Sequence, residues 1–422
     1  MSKNSVISIG IFLSLFIVMQ VAHAQLEEKI TGPWLWMIAP TAEGEGGANA
    51  IDVDSLSEVT GGAVTEAQIA QDGANEGDAV GDRVWTLGEL GPSPDIDNVQ
   101  RLVNSIGLAD GEIEDHSAYA LITVDSAADQ NGVTMDVGSD DAIKVWLNGE
   151  VVWTNAVNRT ISESNGFQDS FTINLTAGAN LLLVKVSERE RAWDMYAGIR
   201  TTFDAAGKHY ELPPMPGEKI TDWAWMTVPT PPREVGCGPG VNDTDLLDLA
   251  SSGAVTEDMI ARNGVTLGDK VGDKTWTVSS IAPTGENNIN DVITGIGFGE
   301  DDVNFNASYA FTYISSPAAQ DTWMFVGSDD SIKVWINGEP VWNSKVFRGA
   351  EDFQEAFRVA LAPGLNPLLV KVGECAVGWS MFVGFAAGVQ VDQIPVSVEL
   401  AGKLATTWGS LKRNALIELD SR

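Results

Sequence analysis

The chain has 422 residues and a formal net charge of −34, with 59 acidic residues against 25 lysines and arginines. This excess of negative charge argues against nucleic acid and anionic membrane surfaces as partners, because both repel an acidic protein. It favours a strongly solvated surface, and it also supplies the oxygen ligands that hard divalent cations such as calcium prefer.

The N-terminus has the pattern of a secretory signal peptide. Lys3 supplies the positive start, residues 6–21 form an apolar run, and Ala22-His23-Ala24 fits a small-residue cleavage site. The run is short for a membrane span, and position 25 is Gln25 rather than a lipid-accepting cysteine. We therefore expect residues 1–24 to be removed, no membrane span, and a mature protein that is secreted, extracellular or periplasmic.

The remaining chain is a tandem duplication. The pair Trp34 and Trp36 returns as Trp223 and Trp225, and further matched blocks follow in the same order with only short insertions between them. This predicts one domain over residues 25–209, a second over residues 210–395, and a C-terminal tail over residues 396–422, since each copy has an ordinary domain size. Residues 201–217 are proline-rich and predict an extended linker.

Within each copy most segments alternate apolar and polar residues over short runs separated by Gly, Asn, Asp and Pro. Such alternation is typical of antiparallel strands. One short helix is predicted in each copy, over residues 65–70 and 256–261, where Thr65 and Thr256 occupy N-cap positions and Gln68 completes a capping box. The predicted fold class is all-β: two tandem antiparallel β-sandwich (jelly-roll) domains, each with a short helix.

Each copy carries two adjacent aspartates directly before a strand, and the pairs are Asp140-Asp141 and Asp329-Asp330. The strand of the first copy ends at Asn148-Gly149, a dipeptide typical of a type I′ hairpin turn. Neighbouring carboxylates repel each other unless hydrogen bonds or a cation compensate their charge. Two interpretations stay open: the aspartates cap the turn by accepting backbone N–H groups, or they bind calcium.

The two cysteines, Cys237 and Cys375, both lie in the second copy. An even number of cysteines in an exported protein predicts one disulfide, here between the first loop of the second copy and the region of its last strand. Two free thiols are the alternative. In the tail, residues 402–413 are locally basic, which indicates either a docked terminus or a sorting signal for attachment to a surface.

Aromatic side chains with polar neighbours are candidates for carbohydrate binding, because the apolar faces of pyranose rings stack on aromatic rings. The candidates are Trp153 with Asn155 and Arg159, and Trp342 with Asn343 and Arg348. The alternative is that both tryptophans fill the sandwich core. For Trp146 and Trp335 the sequence leaves core and surface open, whereas the tryptophans that open each copy are expected in the core.

Catalytic motifs are lacking in the sequence. The mature chain has two histidines, His116 and His209, and it contains no zinc-spaced cluster, phosphate loop or nucleophile elbow. We therefore expect no enzyme activity. A glycosidase with two carboxylates is the one catalytic alternative that so acidic a composition leaves open.

Each copy resembles the galactose-binding-like and protective-antigen-like jelly-roll modules of secreted bacterial glycoside hydrolases and adhesins. The resemblance rests on the Trp-x-Trp opening, the block Gly-Ser-Asp-Asp-x-Ile-Lys-Val-Trp-x-Asn-Gly, and the strand Leu-Leu-Val-Lys-Val. It implies that Asp140-Asp141 and Asp329-Asp330 bind calcium through a cis peptide bond, and that the calcium holds sugar hydroxyls. Where the family usually has glycine after the pair, this chain has Ala142 and Ser331.

The expected function is that of an exported, non-catalytic carbohydrate-binding protein whose partner is a polysaccharide or glycan. Two alternatives belong to other classes. One is a structural or adhesive surface protein that binds no sugar, and the other is a polysaccharide hydrolase.

Overall fold

The computed structural model describes residues 28–91, 97–161, 166–231, 237–350 and 352–389, together with the backbone of residues 392–394. The predicted signal peptide and C-terminal tail lie outside these residues. In the described part, no helix is long and apolar enough to cross a membrane.

The first copy is built of short antiparallel strands and three short helices. Its strands are β1 (Trp34–Pro40), β2 (Ala79–Val80), β3 (Arg83–Val84), β4 (Thr86–Gly88), β5 (His116–Ser126), β6 (Gln130–Asp140), β7 (Ala142–Leu147), β8 (Glu150–Asn155), β9 (Asp169–Leu175), β10 (Gly178–Glu188), β11 (Asp194–Ile199), β12 (Phe203–Ala205) and β13 (Lys208–Tyr210). Its helices are α1 (Ser55–Thr60), α2 (Glu66–Asp72) and α3 (Asn98–Ser105), and a 3-10 turn spans Gly47–Asn49.

The second copy repeats this arrangement. Its strands are β14 (Pro216–Lys219), β15 (Asp222–Pro229), β16 (Lys270–Val271), β17 (Lys274–Thr275), β18 (Thr277–Ser280), β19 (Asn306–Ser316), β20 (Gln320–Asp329), β21 (Ile332–Ile336), β22 (Glu339–Ser344), β23 (Glu355–Leu361), β24 (Gly364–Gly373), β25 (Ser380–Ala386) and β26 (Asp392–Ile394). Its helices are α4 (Leu246–Ser251), α5 (Glu257–Asn263) and α6 (Asn288–Gly295), and the 3-10 turn is Gly238–Val241.

Each copy forms a sandwich of one large and one small antiparallel sheet. In the first copy the large sheet runs β13-β12-β5-β10-β7-β8, with β1 also paired to β5, and the small sheet runs β11-β6-β9. In the second copy the large sheet runs β18-β15-β19-β24-β21-β22 and the small one β14-β25-β20-β23. Among the described strands, none of one copy pairs with a strand of the other. The predicted all-β sandwich class is confirmed.

Apolar residues cover both faces of the large sheet. On the inner face, Trp34 and Trp36 are fully buried between the two sheets of the first copy. On the outer face, helices α1 and α2 cover a second apolar layer that includes Trp146, which is 4% exposed. Trp335 occupies the same layer of the second copy and is 5% exposed. Successive side chains of a strand therefore point alternately into the two apolar layers, and both faces of the large sheet are buried.

The predicted helices are present, but they are not alone. Thr65 caps α2, and Gln68 completes the capping box with it. Thr256 caps α5 in the same way, accepting from the N–H of Met259. The sequence predicts one helix in each copy, whereas the described residues of each copy form three. The predicted helices were recognised by the threonine at the N-cap, a signal that the other helices lack.

The predicted linker over residues 201–217 is wrong for most of its length. The chain there forms the hairpin β12–β13, whose turn residues Ala206 and Gly207 both have positive φ. Phe203 and Tyr210 stack with ring centroids 5.0 Å apart and are buried in the first copy's core. The prolines that indicated a linker follow this hairpin, so the composition of the whole segment hid two short strands.

Candidate functional site

The aspartate pairs lie where the chain passes from the small sheet to the large one. Asp140 ends β6 and Ala142 begins β7, and Asp329 ends β20 shortly before β21 begins at Ile332. The peptide bonds Asp140-Asp141 and Asp329-Asp330 are both cis, the geometry that the family resemblance implies. Both pairs therefore lie at the same edge of their sandwiches.

The second aspartate of each pair accepts two backbone N–H groups. Asp141 accepts from Arg159 at 3.0 Å and from Arg189 at 3.1 Å. Asp330 accepts from Arg348 at 3.3 Å and from Cys375 at 3.1 Å. These bonds tie the turn to two neighbouring loops, so turn capping is part of the role of this residue.

A third carboxylate completes the cluster, and sequence reasoning missed it. The ligand oxygens of Asp329, Asp330 and Glu374 all lie within 4.8 Å of one another. Glu374 is 1% exposed, and neither of its carboxylate oxygens has a hydrogen-bond partner among the described residues. Glu188 in the first copy is equally buried and equally without partners. The available signal was the repeated Lys-Val-x-Glu at the end of β10 and β24.

Burial and mutual repulsion raise the pKa values of these carboxyl groups. Burial, followed by the charges of Asp330 and Asp329, raises the pKa of Glu374 to about 9. Burial, followed by Asp330, raises the pKa of Asp329 to about 7. In the first copy burial and the neighbouring aspartates raise the pKa of Glu188 to about 9 and that of Asp140 to about 8. The protein alone thus leaves these negative charges poorly compensated.

A surface cavity of about 670 Å³ opens onto the cluster of the second copy. Asp329 and Asp330 line it together with apolar side chains, among them Phe353 and Val377. Val377 is 82% exposed and has a φ of 84°, a conformation that is unusual for a β-branched residue. Arg191 takes the matching position of the first copy with a φ of 83°. The site therefore combines carboxylates with an exposed apolar rim.

Both candidate tryptophans stack on a phenylalanine of their own copy. Trp153 lies 5.0 Å from Phe171 between ring centroids, with the planes 1° apart. Trp342 lies 4.3 Å from Phe357, is 5% exposed, and donates from Nε1 to Glu355 at 2.8 Å. This packing favours the core alternative that the sequence left open for both tryptophans.

The candidate arginines donate hydrogen bonds to the serines that precede the aspartate pairs. Arg348 donates from Nη2 to the Ser328 hydroxyl at 2.8 Å and to Glu355 at 3.1 Å, with 8% of the residue exposed. Arg159 makes the same pair of contacts, to Ser139 at 3.0 Å and to Asp169 at 2.6 Å. Both serines directly precede an aspartate pair, so the geometry gives the arginines a positioning role.

The candidate asparagines also contact protein groups. Asn155 donates to Asp169 at 2.9 Å. Asn343 accepts a hydrogen bond from Asn242 at 2.9 Å. Sugar binding by either asparagine stays a prediction. Elsewhere in the second copy, Cys237 and Cys375 form the predicted disulfide, and the described chain has no free cysteine.

No protein-family model and no curated protein sequence matches this chain. Solved structures with some likeness include an anti-sigma factor domain-containing protein from Clostridium clariflavum, at 12% identity and a TM-score of 0.21, covering 67% of this chain and 83% of that one. The Amycolatopsis orientalis exo-chitosanase CsxA has 10% identity and a TM-score of 0.23, with 84% of this chain and 29% of the enzyme covered.

A lectin from Pleurotus ostreatus in complex with GalNAc has 10% identity and a TM-score of 0.18, with 88% of this chain and 83% of the lectin covered. The chain thus spans less than a third of the chitosanase and most of the lectin. At TM-scores this low, these likenesses carry no argument about function.

Proposed function

We propose that this chain is an exported, non-catalytic carbohydrate-binding protein whose sites are organised around calcium. The ion is held by Asp329, Asp330 and Glu374, and in the first copy by Asp140, Asp141 and Glu188. The observation that carries the proposal is Glu374, a buried carboxylate to which no described group donates a hydrogen bond. It lies close to two further carboxylates beside an open cavity.

The donor set fits this ion. Calcium prefers carboxylate and carbonyl oxygens, whereas zinc and copper sites are built mainly from imidazole and thiolate ligands. A divalent charge offsets most of the negative charge of three carboxylates, which removes the cost of ionising buried groups. When bound, calcium supplies coordination positions for the hydroxyl oxygens of a sugar, while Arg348 and Ser328 hold the aspartate turn in place.

The rim of the cavity supports a sugar as the organic ligand. Phe353 and Val377 place apolar surface next to the carboxylates, and a pyranose ring presents hydroxyls on its edge and apolar C–H groups on its face. The cavity volume also falls in the usual range for small-molecule sites, roughly 300–1,000 Å³. Export would allow the disulfide of the second copy to persist.

Hydrolysis is the less favoured alternative. A glycosidase needs two carboxyl groups that reach opposite sides of a glycosidic bond. Glu374 is 1% exposed, so its carboxyl group offers almost no surface to a substrate. The buried glutamate is better suited to hold a cation than to protonate a leaving group.

Isothermal titration with calcium chloride tests the metal assignment. The substitutions Glu188→Gln and Glu374→Gln keep side-chain shape and remove one ligand charge from each site. We expect each substitution to abolish calcium binding at the site of its own copy, or to lower the calcium affinity of that site at least tenfold. The matched control is Glu339→Gln, whose carboxylate pairs with Arg262 and is 69% exposed; it should bind as the wild type does. A wild type that binds no calcium refutes the assignment.

Binding to a glycan array in calcium and in chelator tests the rest. Calcium-dependent glycan binding is the expected result. A protein that binds calcium but no glycan would favour the structural or adhesive alternative. Release of reducing sugar from a polysaccharide incubated with the protein would favour the hydrolase. N-terminal sequencing of exported protein should begin at Gln25.

A further inference from the structure

The start of the 3-10 turn is linked to the site differently in the two copies. In the first copy the Asp115 carboxylate accepts from the N–H of Gly44 at 2.7 Å and from that of Gly46 at 3.0 Å. The Asp115 N–H in turn donates to the carbonyl of Arg189 at 3.2 Å. Arg189 directly follows Glu188 and donates its own N–H to Asp141. Asp115 thus connects the start of this turn to the acidic cluster.

In the second copy the same position is Phe305. Its backbone is alike, with a φ of 53° against 52° for Asp115, and its N–H donates to the Cys375 carbonyl at 3.2 Å. The Phe305 side chain has no carboxylate with which to accept backbone N–H groups as Asp115 does. There the Cys237–Cys375 disulfide makes the connection, with Cα atoms 5.0 Å apart. Cys237 is the N-cap of its 3-10 turn, as Gly46 is in the first copy.

We propose that Asp115 and the Cys237–Cys375 disulfide are interchangeable anchors that position the cation ligands of their copies. Each anchor fixes the residue after the buried glutamate, so that its N–H meets the second aspartate and the glutamate stays in the cluster. This inference rests on the proposed calcium function. It follows that the second site depends on an intact disulfide, whereas the first site depends on a carboxylate and is indifferent to thiol chemistry.

The physical reason is the precision that a cation site needs. Ligand atoms have to be held within about 0.5 Å of their productive positions by a rigid supporting structure. The Glu374 carboxylate has no hydrogen bond to a described group. Its position therefore depends on its backbone, whose N–H donates to the Asn306 carbonyl at 2.9 Å, and on Cys375 beside it. Without the disulfide, the hydrogen bonds of Cys375 to Asp330 and Phe305 lose the support of a covalent link to the 3-10 turn.

The test transplants one anchor into the other copy. In the full chain, Cys237→Gly with Cys375→Arg gives the second copy the first copy's residues at both positions and leaves it without an anchor. Adding Phe305→Asp restores an anchor of the first type. All chains carry Glu188→Gln, so that calcium titration reports the second site. We expect the double substitution to weaken calcium binding at least tenfold, and Phe305→Asp to recover most of the loss.

Amide hydrogen exchange over residues 372–378 provides a readout that needs no calcium. It should become faster in the double substitution and slow again with Phe305→Asp, while Asp115→Ala should speed exchange over residues 186–192 only. If the double substitution alone fails to fold, reduction of the folded wild type by dithiothreitol gives the same comparison, with faster exchange in the second copy only. Unchanged affinity and exchange in the anchor-free chain, or no recovery with Phe305→Asp, would overturn the proposal. If the wild type binds no calcium while exchange still depends on the anchor, both the cation function and the ligand-positioning role are refuted. The anchor would then only hold two segments of the chain together.

Discussion

The arginine beneath each aspartate turn shows how far the two copies differ around the same cluster. Arg348 keeps 2% of its side chain exposed and its partner Glu355 keeps 1%, whereas Arg159 and Asp169 keep 15% and 11%. The cis peptides and the serine before each pair are the same in both copies, and each copy buries one glutamate near its pair. The position of the acidic cluster is thus common to the fold, while the groups that support it vary.

Separating the copies tests the comparison most strongly. The described sheets and core clusters do not cross between copies, and Tyr210 belongs to the first core. We therefore predict that residues 25–212 and 213–395 each fold alone with a cooperative thermal transition, because each buries its own core. Circular dichroism and calorimetry of the two fragments measure this. Two fragments that stay unfolded would show that the copies depend on each other.

Removing the bracing arginines should affect the second copy more. Arg348→Met leaves Glu355 buried without its cation, a change that typically costs about 3–5 kcal/mol. Arg159→Met removes a more exposed ion pair and should cost about 1.5–3 kcal/mol, the range for hydrogen bonds to charged groups. Denaturant unfolding of the full chain gives both values. Equal losses of unfolding free energy in the two copies would show that the burial of the ion pair does not set the contribution of these arginines.

The pH dependence of stability should separate the copies in chelator. A carboxyl group with a raised folded-state pKa binds its proton more tightly when folded, so its contribution is present at acidic pH and is lost as pH rises through that pKa. In the second copy this stability is lost as the pH rises through the pKa of Asp329, about 7, and that of Glu374, about 9. The first copy adds Asp194, whose pKa burial raises to about 7, where the second copy has Ser380.

The midpoint temperature of thermal unfolding, measured for each fragment in chelator, should therefore fall by several degrees as the pH rises from about 5 to about 9. The fall should be larger for the first copy. Calcium should reduce the fall in both. Asp194→Asn should bring the first copy's pH profile closer to that of the second. A profile that calcium leaves unchanged would speak against cation binding at the carboxylates.

The smallest effect concerns the rim residues with positive φ. Glycine adopts this conformation without strain, so Val377→Gly should stabilise the second copy by about 1–3 kcal/mol, and Arg191→Gly the first copy by less, since arginine is not β-branched. The same Val377→Gly substitution should weaken glycan binding, because it removes apolar surface from the cavity rim. Greater stability together with unchanged glycan affinity would remove Val377 from the site.

The sequence predicts the all-β class, the capped helices α2 and α5, and the disulfide, because each depends on a local pattern or a simple count. The repeated Lys-Val-x-Glu marks Glu188 and Glu374 in the sequence but does not show their role. That role lies in burial without a partner among the described residues, a property of three-dimensional packing. Trp342 shows the same limit. Its sequence neighbours Val341 and Asn343 do not indicate its surroundings, and only the fold brings Phe357 against its ring. The hairpin β12–β13 was hidden because nearby prolines dominate the composition of its segment.

The lysine in the middle of β10, and its counterpart in β24, have a practical consequence. Lys185 has no exposed side-chain surface, and its ammonium donates to Glu66 and to the carbonyls of Ala50, Ile51 and Val53. Lys371 is enclosed in the same way by Glu257. Amine-acylating reagents should modify the surface lysines and spare these two while each copy stays closed. Their acylation, resolved by peptide mass, therefore reports the opening of each copy separately within one intact chain.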